Sequence, residues 1–344
     1  PWGADDDTDI EYMYQYLLEK NKTSLLTAQQ IQQGWLEHIY SEEDAPLYRK
    51  FADSKPQIEN FLWESNQQAR LLMEKGILPP ETSEPEQNDK YMMIDAQLTT
   101  EIFGLLAPVR ADIALKMSYL PIRTSAKFDA QWIAEFYVVM HSLASAVDKS
   151  LSMQQQTLWL AEQARTTLPS HSYAAKMYDF VKHAYDNNMD KSNWEKTRDQ
   201  VFSRYQQNSS DGYVYHVPFD AGINFAASLI SWFYGKGDIV RTIQIGSLTG
   251  WDSDNPTATW GGLLGFMLGK TKVELAFGQE NMSETYWIHR TRRNFIDHTE
   301  AQFGEDKFSL MAKRALAIVD RVVVEQMSGE IDEKNDNWLI PHKN

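Results

Sequence analysis

Apolar residues in this chain recur every three or four positions and almost never in sustained alternation, which confines it to helical architectures. Ile10, Met13, Tyr14, Leu17 and Leu18 follow the i, i+3, i+4, i+7, i+8 rule and form one stripe behind an aspartate-rich turn. Asp7 or Thr8 is the expected cap of that helix. A second stripe, Ile58, Phe61, Leu62, Ala69, Leu72 and Met73, ends at Gly76, and a third holds Ile133, Phe136, Tyr137, Met140 and Ala144. His141, also on an apolar helix face, reads as a hydrogen-bonded core residue. With 344 residues, 42% of them hydrophobic, the chain can bury a large core. The expectation is an all-α protein, one domain over residues 1–344.

Two breaks interrupt the helical pattern. Residues 78–90 are rich in Pro, Glu, Ser and Thr and read as an exposed loop and candidate lid. Ser209, Ser210, Asp211 and Gly212 separate a polar helix ending near Gln207 from the apolar run 221–234. No internal repeat of fixed period is found.

Composition removes several classes of function. Lys and Arg number 33 against 48 Asp and Glu, a net charge of -15, which repels phosphate backbones and disfavours nucleic acid as a general partner. A small anionic ligand stays compatible wherever cations or helix N-termini face its pocket. The absence of cysteine excludes disulfides, thiolate metal sites and cysteine nucleophiles. The longest apolar stretches, 261–269 and 136–140, fall short of the ~20 residues of a spanning helix, so a soluble protein without a membrane span is expected. The chain opens on Pro1-Trp2-Gly3-Ala4-Asp5 without a methionine or an apolar leader, and its sequons at Asn21, Asn208 and Asn281 are no more than chance supplies. Cytoplasmic and secreted locations are equally compatible.

Two acidic segments carry the chemistry. Asp5, Asp6, Asp7, Thr8 and Asp9 stand where a loop becomes a helix, a placement that carboxylates favour for helix capping alone. Gly250-Trp251-Asp252-Ser253-Asp254-Asn255-Pro256 forms a second acidic turn, followed by Gly261, Gly265 and Gly269 on one helical face, where another backbone could come close. Taken together, two aspartate-dense turns that each open a helix supply the hard oxygen ligands Mg²⁺ prefers. Other motifs fail on residue identity. An EF-hand loop begun at Asp5 meets Ile10 and Tyr16 where Gly and Glu are needed, and one begun at Asp252 meets Thr257 and Leu263. No HExxH or GxSxG pattern occurs.

These residues resemble the ADP-ribosylglycohydrolase family, which pairs an early Asp-Asp-Thr element with a late Gly-x-Asp-x-Asp element opening a Gly-rich helix. Asp6-Asp7-Thr8 and Gly250-Trp251-Asp252-Ser253-Asp254 match them. The approach to the late motif, His216-Val217-Pro218 and then 224–250, is similar too, as is the outline of residues 95–146. The resemblance implies a single all-α domain with two Mg²⁺ ions, Mn²⁺ or Ca²⁺ being the alternatives. It implies Asp5, Asp6, Asp7, Asp252, Asp254 and Asn255 as metal ligands, Asp6 and Asp254 as candidates for the base, and Trp251, Ser253 and His216 as substrate contacts. This chain departs from the family at three places. Asp5 and Asn255 stand where hydroxyl residues are common, Thr124-Ser125 is followed by Ala126-Lys127 where the family carries a Ser/Thr-His pair, and the family's first helix, which would precede this sequence, is expected to have been removed, to lie in a separate polypeptide segment or to be replaced.

The implied reaction is hydrolysis of an N- or O-glycosidic bond of an ADP-ribosyl group carried by a small molecule or a protein. Phosphates would sit at helix N-termini or against Arg110, Arg123 or the run His289-Arg290-Thr291-Arg292-Arg293, although such basic runs are more often surface ion-pair networks. Trp251 or Trp260 could flank a base, though core packing is the commoner role of such residues. Two alternatives are kept. One is a catalytically silent relative that binds ADP-ribose. The other is an isoprenoid or terpene synthase using Asp5-Asp6-x-x-Asp9, for which Asn224 and Ser228 have the partner spacing but Trp232 stands where the acid belongs.

Overall fold

The helix Ala221–Gly235 is buried at all fifteen of its positions, as a segment apolar on every side must be, and the rest of the chain packs around it. The computed structural model describes residues 1–3, 5–39, 62–287 and 305–341. Its helices are α1 (Asp6–Lys20), α2 (Ala28–His38), α3 (Glu64–Glu74), α4 (Asp95–Thr99), α5 (Ile102–Leu105), α6 (Ala111–Met117), α7 (Tyr119–Ile122), α8 (Asp129–Leu143), α9 (Met153–Arg165), α10 (Tyr173–Asn187), α11 (Glu195–Val201), the central α12 (Ala221–Gly235), α13 (Ile239–Leu248), α14 (Asp254–Leu268), α15 (Lys270–Phe277) and α16 (Phe308–Met327). Strands β1 (Trp2–Gly3), β2 (Thr285–Trp287) and β3 (Glu305–Lys307) make one small sheet, and β4 (Glu330–Asp332) pairs antiparallel with β5 (Asn337–Leu339). The all-α expectation is met. Among the described residues no helix is long and apolar enough to cross a membrane.

Polar residues at the ends define the helices. Thr27 with Gln30, and Ser152 with Gln155, form complete capping boxes at α2 and α9, while Asp220 and Asp238 cap α12 and α13 through their carboxylates. The cap of α1 is Asp5, whose Oδ1 accepts the Thr8 amide at 2.8 Å. This corrects the expectation of Asp7 or Thr8, which already lie inside the helix. The stripe ending at Gly76 appears as α3, with Gly76 in the left-handed region just beyond it, whereas Ile58 and Phe61 lie outside the described residues.

Aromatic rings tie the centre together. Trp232 of α12 and Trp260 of α14 lie 4.4 Å apart between centroids, and Tyr137 of α8 lies 5.1 Å from Trp260. Each polar edge is satisfied: the Trp232 indole donates to the Thr157 carbonyl at 2.9 Å, the Trp260 indole to the Ser228 carbonyl at 2.8 Å, and the Tyr137 and Ser228 hydroxyls are 2.5 Å apart. Trp260 is thus a core residue that fixes the helix opened by Asp254.

Two expectations are overturned. Among the described residues, a Cβ added at Gly265 or Gly269 would meet nothing within 4 Å, and one at Gly261 only the side chain of Ile243, so no described backbone uses that face. Close approach happens instead at Gly104, where a Cβ would strike the Val138 carbonyl of α8, and at Gly235, where it would strike Thr242 of α13. The segment 78–90 is irregular but not an exposed loop. Thr82, Ser83 and Asn88 are fully buried, and the Asn88 amide donates to the carbonyls of Ser65 and Thr82 at 3.1 Å each. Polar composition does not imply exposure when side chains satisfy neighbouring backbone.

His141 is the core residue its apolar face suggested. Its Nδ1 lies 2.7 Å from the Tyr137 carbonyl, and burial pushes the imidazole down to about 4 against the opposing effect of that bond. The unfolded chain therefore binds the proton more readily. The stability this residue contributes is complete above the ordinary value near 6.5 and is lost as pH falls towards 4, on the order of 3 kcal/mol at most. Urea unfolding of wild type and His141→Gln across that window should show a steeper acid loss in wild type; equal slopes would remove His141 as its cause.

Candidate active site

The first acidic turn is positioned from both ends. Ahead of it, β1 pairs in parallel with β2, Trp2 opposite Tyr286 and Gly3 opposite Trp287, and the Trp2 indole donates to the Ser283 carbonyl at 2.8 Å. Behind it, the Tyr286 hydroxyl donates to buried Asp9 at 2.7 Å, and the Tyr12 hydroxyl donates to Asp306 at 2.6 Å, where Arg314 also pairs. The five-residue acidic run is therefore divided. Asp5, Asp6 and Asp7 face a cleft, while Asp9 belongs to a buried polar network that anchors α1. Asp9 is not among the residues lining the cleft, which takes away the third acid of the Asp5-Asp6-x-x-Asp9 reading.

The second turn is held from below. Gly250 and Trp251 both have positive φ, a conformation that glycine adopts freely and tryptophan rarely. Asn224 of α12 accepts the Asp252 amide on its Oδ1 at 3.0 Å and donates its Nδ2 to the Pro218 and Asp220 carbonyls at 2.6 and 2.9 Å. The Trp251 indole donates to Gln206 at 2.7 Å. These bonds fix the turn against the central helix before Asp254 begins α14.

A third wall was not foreseen as part of the site. The Ile94 amide donates to the Phe219 carbonyl at 2.9 Å and the Ala221 amide to the Met92 carbonyl at 3.0 Å, which join the start of α4 to the start of α12. Asp95 then faces the cleft, its Oδ1 accepting the Asn66 amide at 3.0 Å. Trp63, 56% exposed, and Phe219 stand on the rim with ring centroids 5.6 Å apart. The cleft has a volume of about 290 Å³ and is lined by Asp5, Asp6, Asp7, Glu64, Asp95, Asp252 and Asp254 together with Trp63, Ile94, Leu98 and Phe219. Seven of these eleven residues are acidic and none is basic, so their charges have no neutralising side chain in the lining.

That crowding decides the electrostatics. Burial first, then the charges of Asp6, Asp5, Asp95 and Asp252, raise Asp7 well above the ordinary carboxylate range. Asp252 is pushed up to about 7, by burial and then by hydrogen bonding to and charge repulsion from Asp254, with Asp95 and Asp6 adding to it. Burial lifts Asp95 to about 6 despite the Asn66 amide and Ser65 hydroxyl that favour its ionised form. Further along α1, Glu11 rises to about 7, chiefly by burial, while accepting the Ile102 amide at 2.8 Å. Glu101 beside it is held well above its usual range by burial and by Glu11, and accepts the Thr259 hydroxyl of α14.

Like charges gathered in this way are relieved by protons or by cations. The donor set is all oxygen, the chemistry that hard divalent ions take, so the residues fit Mg²⁺ in kind. Among the described residues, no group of three or more His, Asp or Glu side chains is closed around a single ion position.

The remaining residues singled out from the sequence fall elsewhere. Asn255 is 4% exposed, does not line the cleft, and has a buried Nδ2 without a hydrogen-bond partner. Trp251, Ser253 and His216 are also absent from the lining; His216 contacts the cap residue Asp220 at 3.2 Å. Arg110 and Arg123 pair with Asp112 and Glu135, both at 2.8 Å, and neither reaches the cleft. The run from His289 to Arg293 lies outside the described residues. Asp95, Glu64, Trp63 and Phe219 were missed. Asp95 had been noted in a stretch of family outline, but isolated acids carry no local density that would mark them.

The fold and cleft define an all-α protein whose two aspartate turns, far apart in sequence, open helices onto one acidic cavity. The model of the ADP-ribosylglycohydrolase family matches residues 1–304, and the chain belongs to that family of glycosyl hydrolases. No curated protein and no solved structure matched the chain.

Asp9 and Asp252 should behave oppositely on substitution. Asp9→Ala leaves the buried Tyr286 hydroxyl without its acceptor and should destabilise the protein by about 1–3 kcal/mol while keeping any rise in Tm caused by Mg²⁺. Asp252→Asn removes a repelling charge and should stabilise the metal-free protein by roughly 0.5–2 kcal/mol while losing the Mg²⁺-dependent rise. Differential scanning fluorimetry with and without Mg²⁺ separates the two; an unchanged Mg²⁺ response in Asp252→Asn would exclude that residue from cation binding.

Proposed function

We propose that this protein hydrolyses the N- or O-glycosidic bond between the anomeric carbon of an ADP-ribosyl group and its small-molecule or protein carrier, in a reaction that depends on a divalent cation, Mg²⁺ first. The observation that supports it is the meeting of Asp5, Asp6 and Asp7 with Asp252 and Asp254 in one cleft. Those five carboxylates would hold the ions. A pair of bound cations would supply charge neutralisation and orientation of the ribose hydroxyls and a water.

The chain's own groups account for the rest. Cleavage at an anomeric carbon develops positive charge on the sugar, and a cavity lined by carboxylates stabilises that charge where a neutral cavity would not. Asp6 and Asp254 are the candidates to take a proton from the attacking water, Asp254 being the more exposed of the two. Asp95, whose proton affinity is raised towards neutrality by burial, keeps the charge of the cleft adjustable as substrate enters. Trp63 and Phe219 give the rim an apolar face against which a flat or sugar ring can lie.

A second reading, a silent relative that binds ADP-ribose without turnover, is favoured by one observation: Thr124-Ser125 is followed by Ala126-Lys127 where the family carries a Ser/Thr-His pair. Release of free ADP-ribose from ADP-ribosylated protein and nucleoside substrates, followed by chromatography with Mg²⁺ or with EDTA, decides between them. Hydrolysis with Mg²⁺, abolished by EDTA and reduced at least a hundredfold in Asp252→Ala, is the expected result. Full activity in Asp252→Ala would overturn the assignment, and calorimetric binding of ADP-ribose without release, lost in Asp252→Ala, would establish the silent relative.

A further inference from the structure

A second cavity, of about 500 Å³, has the opposite charge character to the cleft. It lies where α10 faces α11 and the π-helical turn Phe202–Gln207, and its size falls within the range of small-molecule sites. None of its lining residues is acidic, on a chain with a net charge of -15. Lys196, Arg204 and His183 supply positive charge or donors, Asn187 and Asn208 supply amides, and Phe180 supplies an aromatic wall. We propose that this cavity binds a phosphate-bearing small molecule that has a flat ring, a nucleoside diphosphate being the simplest representative. This inference is independent of the reading given to the acidic cleft.

Three features favour such a ligand over a neutral one. Lys196 makes no ion pair among the described residues, so its charge is available. The Arg204 guanidinium lies over the Phe180 ring at 4.8 Å, with one long ion pair, 3.4 Å, to Asp211. A guanidinium kept over the ring in this way leaves N–H groups beside the cavity that suit phosphate oxygens. The apolar surface of Phe180 and Ala184 beside these cations is where a base or ribose would pack. Ser203 and Arg204 enter this cavity from the same π turn whose Gln206 bonds Trp251 next to Asp252, and such turns recur at functional sites.

The test is calorimetry on the full chain in EDTA, which prevents ligand capture through divalent ions, with ADP in one series and inorganic pyrophosphate in another. ADP should bind at one site, more weakly as salt rises, and Lys196→Gln and Arg204→Gln should each weaken it about tenfold or more while Asp252→Asn leaves it unchanged. Arg204 packs on two aromatic rings and its replacement could disturb folding, so the exposed Lys196 carries the decisive comparison. Pyrophosphate binding as tight as ADP, with the same Lys196 dependence, would keep the phosphate site and remove the ring from it. Absence of binding by either ligand at millimolar concentration, or ADP binding that is lost in Asp252→Asn and unaffected by Lys196→Gln, would overturn the proposal.

Discussion

Repulsion among carboxylates is the constraint around which this molecule is built. Seven acidic side chains share one cleft of about 290 Å³, and nothing in its lining offsets them. Such an arrangement persists only if the surrounding structure holds it more firmly than the charges push it apart. The holding is done by hydrogen bonds and packing from buried residues: Asn224 beneath the late turn, the Asn66 backbone amide against Asp95, the Tyr286 and Tyr12 hydroxyls behind α1, and the Trp232–Trp260 pair beneath α14. The stable parts of the fold are thus arranged around an electrostatically costly one, a common division between scaffold and site.

Charge is segregated as well as crowded. The acidic cleft has no basic lining residue and the larger cavity near α10 has no acidic one, although the chain as a whole carries far more Asp and Glu than Lys and Arg. Several described basic residues elsewhere are occupied by acidic neighbours, as Arg110 is by Asp112, Arg123 by Glu135 and Arg165 by Asp179. Surface pairs of that kind contribute little stability each.

Helical periodicity made the fold class legible, because burial of one face imposes a spacing that survives in the residues themselves: α1, α3 and α8 appear close to where their apolar stripes place them. The density of aspartate likewise marked both turns of the cleft. What failed had a different physical origin. An acidic run winds around a helix at about 100° per residue, so adjacency in sequence could not separate Asp9 from Asp5, Asp6 and Asp7. The glycines of α14 obeyed a packing rule whose partner does not occur among the described residues, whereas Gly104 and Gly235, with no pattern around them, are where backbones and side chains crowd. Asp95, Glu64 and Trp63 reach the cleft only through hydrogen bonds between distant segments. Those bonds leave no local trace.

The anchoring of α1 by Tyr286 and Asp306 has a consequence for the order in which the molecule assembles. The bonds from Asp9 and Tyr12 span 277 and 294 residues, so the helix that carries the first acidic turn is locked only when segments near the other end have arrived. Closing so large a loop is slow and entropically unfavourable, so these two bonds come later than the contacts α1 makes with α2 through Tyr14 and Trp35. The placement of Asp5, Asp6 and Asp7 is thus completed by bonds of long sequence separation, which ties the geometry of the cleft to the integrity of the segment around Tyr286 and Asp306.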